Sequence, residues 1–175
     1  MQIKDKTFEV YITHQQILQR ITSLSDEISR DYMGKDPLVI GVLNGSFYFF
    51  AELTLQMNQE VEVAFVRYQS YEGTQSTGDF VVSLPFDEKV GGRDIILVED
   101  IVDTGSTLVK LHEELKKFSP KSVEIVSLLL KPTIYRNQFP VKYVGFEIPA
   151  EFVLGFGLDY DGRGRNLRDI YVLSR

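Results

Sequence analysis

Ile95-Ile-Leu-Val-Glu-Asp-Ile-Val-Asp-Thr-Gly-Ser-Thr-Leu-Val-Lys-Leu111 decides the fold. Four apolar residues run into two adjacent carboxylates, Glu99 and Asp100, and a third acid, Asp103, follows. The short apolar run predicts a strand, Ile95 to Val98, buried on both faces, as in a parallel sheet. Asp103-Thr104-Gly105-Ser106-Thr107 then turns into a helix from about Ser106 to Phe118, with Leu108, Leu111, Leu115 and Phe118 as its buried stripe. Glu113 and Lys117 have the i,i+4 spacing of an ion pair on its wet side.

The same grammar extends in both directions. Thr13 and Gln16 have capping-box spacing, and Ile17, Ile21, Leu24 and Ile28 follow at helical intervals. Leu38 to Leu43 is another buried strand, Phe47 to Met57 a helix, and Val61 to Tyr68 a second strand. Residues 69–79 are polar with two glycines and read as a long loop, after which residues 80–84 resume as a strand. Val123 to Leu130, Val141 to Ile148 and Ile170 to Leu173 read as further strands. Apolar strands alternating with helices predict an α/β fold with a mainly parallel sheet flanked by helices. In such a sheet, ligands sit outside the carboxyl ends of the strands. Asn44, Glu99, Asp100 and Lys131 all fall at such ends.

Composition narrows the class. The 175 residues suggest one domain, residues 1–175, with a sizeable core. No repeat or Gly/Ser linker divides them. There is no cysteine, which excludes a disulfide framework or thiolate metal site and fits a reducing compartment. No signal-like segment and no apolar run of roughly 20 residues is present, so a cytoplasmic protein without a membrane partner is expected. A formal net charge of −6 disfavours broad nucleic-acid binding.

Three acids within five residues can hold a hard divalent cation or accept hydrogen bonds from sugar hydroxyls. A turn of Thr, Gly and Ser opening a helix offers free N–H groups and the positive dipole end to a phosphate, or is an ordinary cap. A phosphorylated sugar satisfies both halves, with its phosphate on the turn and its hydroxyls on Glu99 and Asp100. No Walker A loop exists, and Gly155-Phe-Gly-Leu-Asp-Tyr-Asp-Gly162 does not meet the dinucleotide-binding fingerprint.

The stretch Val98 to Leu108 closely resembles the phosphoribosyl-pyrophosphate motif of type I phosphoribosyltransferases. Val42 to Leu53, Ser70 to Asp79, Ser127 to Pro132 and Val144 to Ile170 are similar to the hypoxanthine-guanine branch of that family. The resemblance covers nearly the whole chain, in order. It implies a central sheet with a small hood and a mobile lid loop. It implies transfer of a 5-phosphoribosyl group to N9 of a 6-oxopurine, with Mg²⁺ as cofactor and a homodimer or homotetramer as the assembly. It also implies roles for individual residues. Glu99 and Asp100 face the ribose hydroxyls and one Mg²⁺, and Asp103 is the general base or acid at purine N7. Thr104, Gly105, Ser106 and Thr107 hold the 5′-phosphate. Lys131 donates to the purine 6-oxygen, Phe152 stacks on the base, and the Val153 backbone reads the base edge. Asp159 helps bind a second Mg²⁺ through water, while Arg165, with the Leu43-Asn44-Gly45 loop, binds pyrophosphate. That loop often holds a non-proline cis peptide in the family. Ser70 and Tyr71 belong to the lid. Many relatives carry Lys or Arg where this chain has Asn44, which removes a charge contact to pyrophosphate. A different class remains as the alternative: a regulator of this fold that binds nucleotide and RNA. His14 and His112 lie outside every matched motif and read as surface helix residues.

Overall fold

The computed structural model describes residues 1–67, 89–136 and 139–174. Its centre is a five-stranded sheet in the order β4-β3-β5-β6-β7. These strands are β3 (Leu38–Leu43), β4 (Glu62–Arg67), β5 (Asp94–Val102), β6 (Ser122–Leu130) and β7 (Tyr143–Glu147). Every pairing among them is parallel. The remaining strands are β1 (Gln2–Ile3), β2 (Lys6–Ile12), β8 (Val153–Leu154) and β9 (Ile170–Leu173). They form a separate antiparallel sheet, β1-β2-β9-β8, which is the expected hood. The expected strand over 80–84 and the 69–79 loop, with Ser70 and Tyr71, lie outside the described residues.

Helix α1 (His14–Asp31) starts at the predicted cap: the Gln16 amide donates to the Thr13 hydroxyl, and the Gln16 side chain accepts from the Thr13 amide. Its buried face is Ile17, Ile21, Leu24 and Ile28, as the periodicity predicts. With α2 (Phe47–Leu55) it covers one face of the sheet, where Val39, Ile96, Val98 and Val126 point. Helix α3 (Ser106–Lys116) covers the other, where Leu38, Ile40, Ile95, Leu97 and Ile125 point. Strands buried on both faces carry apolar residues at every position, which is why their sequences read as continuous runs. The hood is docked on α1 through Asp169, whose carboxylate accepts from the His14 amide at 2.7 Å.

Three expectations need correction. Strand β5 does not stop at Val98 but runs to Val102, so Glu99 and Asp100 lie within its last turns of pleat rather than beyond it. Hydrogen bonding to β6 continues past them, with Glu99 opposite Ser127 and Val102 opposite Leu130, and overrides the poor strand propensity of acids. Phe118 lies beyond the end of α3 and is 37% exposed, because Ser119 takes φ 52° and swings the chain toward Pro120. Lys117 pairs with Glu114 at 2.6 Å rather than with Glu113, since it caps the helix end, where the i,i+3 partner is nearer.

Candidate active site

Three parallel strands end side by side, and each delivers a candidate residue directly. Asn44 follows β3, Asp103 follows β5 and Lys131 follows β6. The Lys131 amide donates to the Val102 carbonyl at 3.0 Å, which brings the ends of β5 and β6 into register. A cavity of about 260 Å³ opens at this edge. Leu43 and Gly45 line one side, and the run Glu99 to Leu108 lines the other.

Residues adjacent on a strand project to opposite faces, yet at the end of β5 both Glu99 and Asp100 line this cavity. Glu99 is buried, and burial together with the Asp100 charge holds its carboxyl well above the usual range. Asp100 keeps a partly open surface toward the cavity but is otherwise enclosed by protein, and its pKa is pushed up to about 6 by desolvation. Asp159 pushes in the same direction, while the Arg165 charge pulls it back. Among the described residues no group of three or more acidic or imidazole side chains forms a metal cage.

Gly45 sits directly against Asp100. A Cβ on Gly45 would lie 1.6 Å from Asp100 Oδ2, so no other residue fits without moving the acid. Gly157, at φ 103°, closes on the same loop: its Cβ would lie 1.9 Å from the Gly45 carbonyl oxygen. Arg165 donates to the Gly157 carbonyl at 2.6 Å and pairs with Asp159. Arg165, Asp159, Gly157, Gly45 and Asp100 therefore form one contiguous layer. The Leu43–Asn44 peptide is cis, as the resemblance implies, and Asn44 is exposed. Behind it the buried Ser46 hydroxyl donates to the Val42 carbonyl at 2.6 Å.

Beyond Asp103 the chain enters α3. Gly105 is the N-cap at φ 81°, a left-handed conformation that glycine adopts without steric cost. The first helical bond runs from the Val109 amide to the Gly105 carbonyl at 3.1 Å. The preceding amides of the turn have no helical partner and face the positive end of the dipole. Thr104 and Ser106 hydroxyls lie 3.2 Å apart beside them. This is an anion-binding geometry.

Lys131 is held on Asp103, Nζ to Oδ2 at 2.8 Å, and is itself buried. Phe152 stands at the hood edge, 41% exposed, with Tyr160 edge-on at 5.6 Å and Lys6 Nζ 5.6 Å from its ring. Val153 is buried in β8, and the Phe152 carbonyl accepts from Leu173. Neither histidine is a plain surface residue: both rings are half-buried, and each Nδ1 is buried with no hydrogen-bond partner among the described residues. His14 packs near Phe156 and His112 on Phe139.

Gly157, Ser46 and Tyr135 were invisible as site residues in the sequence. Gly157 lies in a stretch singled out only by the resemblance, and Ser46 and Tyr135 act through hydrogen bonds and packing that no spacing rule marks.

Comparison with known proteins agrees with this layout. The phosphoribosyl transferase domain family matches residues 9–161. A hypoxanthine-guanine phosphoribosyltransferase of Lactococcus lactis is 43% identical over 172 residues, covering 97% of this chain and 93% of its own. The crystal structure of a hypoxanthine phosphoribosyltransferase from Staphylococcus aureus superposes with a TM-score of 0.87 at 36% identity, over 95% of this chain and 91% of that one. The Trypanosoma cruzi hypoxanthine phosphoribosyltransferase, solved in complex with the product IMP, gives 0.87 at 35% identity over 99% and 97%. The chain belongs to the phosphoribosyl transferase domain family, in its hypoxanthine-guanine branch.

Proposed function

We propose that this enzyme transfers the 5-phosphoribosyl group of phosphoribosyl pyrophosphate to N9 of hypoxanthine or guanine, giving IMP or GMP and pyrophosphate. The observation that carries the reading is the meeting, at one sheet edge, of a helix-opening turn with free amides, the buried Glu99 with the half-buried Asp100, and the Asp103–Lys131 pair. The turn from Thr104 to Thr107 takes the 5′-phosphate, and Glu99 and Asp100 face the ribose hydroxyls. Asp103 accepts or holds the purine N7 proton, a contribution typically of about 10²–10⁴-fold. An ammonium has three donors, so Lys131 can keep its bond to Asp103 and offer another to the purine 6-oxygen. One side chain then orients the general base and selects the 6-oxo group. Phe152 supplies the stacking surface and the Val153 backbone the edge contact.

The leaving pyrophosphate falls to Arg165 and the amides around Asn44 and Gly45. Asn44 carries no charge, which leaves Arg165 the cation of this layer. Mg²⁺ fits the donor chemistry: it takes one or two carboxylates and completes its shell with water and substrate oxygens, so a full protein cage is not needed. Glu99, Asp100 and Asp159 would hold it, and when bound it supplies charge neutralisation at the leaving group. Residues 69–79, with Ser70 and Tyr71, are read as the lid that excludes water from the cation-like ribose carbon.

The reading treats residues 1–175 as one catalytic domain, placed in the cytoplasm. No helix among the described residues is long and apolar enough to cross a membrane. Phe47, Tyr48 and Leu55 of α2, all exposed, recur at helical spacing and are assigned to the contact between copies in a dimer or tetramer. The RNA-binding alternative draws no support from the acidic balance of the chain.

A steady-state assay of hypoxanthine, guanine and xanthine with phosphoribosyl pyrophosphate and Mg²⁺ tests the assignment. Nucleotide formation from hypoxanthine or guanine is expected, and failure with every base overturns it.

A further inference from the structure

The phosphate turn is backed by a side chain that no motif singles out. A Cβ on Gly105 would lie 2.4 Å from Cε2 and 2.9 Å from Cδ2 of Tyr135, so the ring rests against the glycine Cα. Tyr135 comes from the single turn after Lys131. The amides of Ile134 and Tyr135 both donate to the Lys131 carbonyl, at 3.1 and 3.0 Å. The Tyr135 hydroxyl donates to the Phe139 carbonyl. The Phe139 ring lies on His112 of α3, centroids 4.0 Å apart. Tyr135 and Phe139 thus hold α3 at two heights, Tyr135 at its N-cap and Phe139 about two turns on. Both rings pack against the core that holds Leu108, Leu111 and Leu115.

A backbone anion site works only if its N–H groups converge on one point, because a hydrogen bond weakens steeply once misaligned. Glycine has the widest backbone freedom of any residue. Left unsupported, the Gly105 turn would sample many directions, and ordering it would be charged to ligand binding. We propose that Tyr135 is a positioning residue for the 5′-phosphate: its ring fixes the Gly105 turn before the ligand arrives. The proposal rests on the reading of this turn as the phosphate site.

Three variants separate the ring from mere bulk. Tyr135→Phe keeps the ring, Tyr135→Leu keeps apolar cover over the core, and Tyr135→Ala removes both. Displacing a binding group by about 1 Å can cost up to ~10²-fold, so a rise of about tenfold in KM for phosphoribosyl pyrophosphate is expected in the Leu and Ala variants. Their kcat should stay within about threefold, their KM for hypoxanthine within about twofold, and Tyr135→Phe should stay near wild type in all three. Should the Ala variant not fold, the Leu variant carries the test. An unchanged KM for phosphoribosyl pyrophosphate in Tyr135→Leu overturns the proposal. So does an equal rise in both substrates' KM, which a general loosening would produce, or a Phe variant as impaired as Leu. Calorimetry with ribose 5-phosphate needs no turnover and keeps the two readings apart. About tenfold weaker binding by the Leu variant than by wild type supports the role of Tyr135 even if no base is a substrate, and equal affinity refutes it.

Discussion

Gly45→Ala is the sharpest perturbation the site allows. The added methyl would sit 1.6 Å from Asp100 Oδ2 and 2.4 Å from Asp100 Cγ, against an ordinary contact distance of 3.4 Å or more. One partner must move by the difference, close to 1.8 Å. Gly45 cannot retreat, because its carbonyl is already packed on Gly157 and the next residue, Ser46, is pinned to Val42. Asp100 therefore moves, and it does so inside β5, where its neighbours are locked to β6. Overpacking of this kind costs about 1–3 kcal/mol of stability. Since misplacing a reacting group by about 1 Å can cost ~10²-fold, kcat/KM should fall by ~10²-fold or more. Gly92→Ala is the control: at φ 71° an added Cβ strains the backbone but meets nothing within 4 Å, so it should lose stability without losing activity. Thermal unfolding and steady-state kinetics on both variants make the comparison. If Gly45→Ala keeps kcat/KM within about threefold of wild type, the tight seat of Asp100 has no catalytic meaning and the argument fails.

Asp103→Asn preserves shape and removes the proton acceptor, so kcat should drop by ~10²–10⁴-fold, with some loss of stability because the buried Lys131 keeps an acceptor but loses its counter-charge. Near-wild-type turnover would remove Asp103 from the chemistry. Lys131→Ala should raise KM for 6-oxopurines by roughly ten- to a hundredfold, the cost of ~1.5–3 kcal/mol for a lost charged donor, with a smaller effect on phosphoribosyl pyrophosphate. Equal weakening of both substrates would make Lys131 purely structural. In the ligand-free protein, Asp100 holds its proton up to about pH 6, whereas the unfolded chain releases it near the ordinary carboxyl value of 3.8. The folded state therefore binds more protons between those limits, and stability falls as pH rises through the window. Asp100→Asn should flatten its share of that fall in melting temperatures taken from pH 4 to 7. A slope unchanged by the substitution would mean that Asp100 titrates normally.

Sheet and helices were legible because burial on both faces writes itself into continuous apolar runs. The hood was harder to read. Its strands β1 and β8 have two residues each, too short for any period to show, and the sheet is joined only where β2 pairs with β9 from the far end of the chain. The end of β5 was misread for a physical reason. Acids argue against a strand locally, but the ladder to β6 supplies the backbone partners that carry the strand through them. The helix-opening turn with its free amides and the acids at the end of β5 were legible because their sequence signals are local. What was not legible is the packing behind them, since Gly157 on Gly45 and Tyr135 on Gly105 join residues 112 and 30 positions apart, and no spacing rule links them.

The same placement of acids explains why the site is costly until it is filled. Glu99 and Asp100 follow four buried apolar residues of β5, Ile95 to Val98, and desolvation raises both carboxyls. Ionised, each lacks the water that would stabilise its charge, and Arg165, the cation that lowers Asp100, is shared with Asp159. A sugar with two hydroxyl donors relieves that cost directly, because a carboxylate that accepts hydrogen bonds regains much of the solvation it lost. On the proposed reading, affinity for the ribose would come partly from that expense, already met in folding. That expense is tolerated because the two large apolar clusters on either side of the sheet supply the stability that the edge gives up.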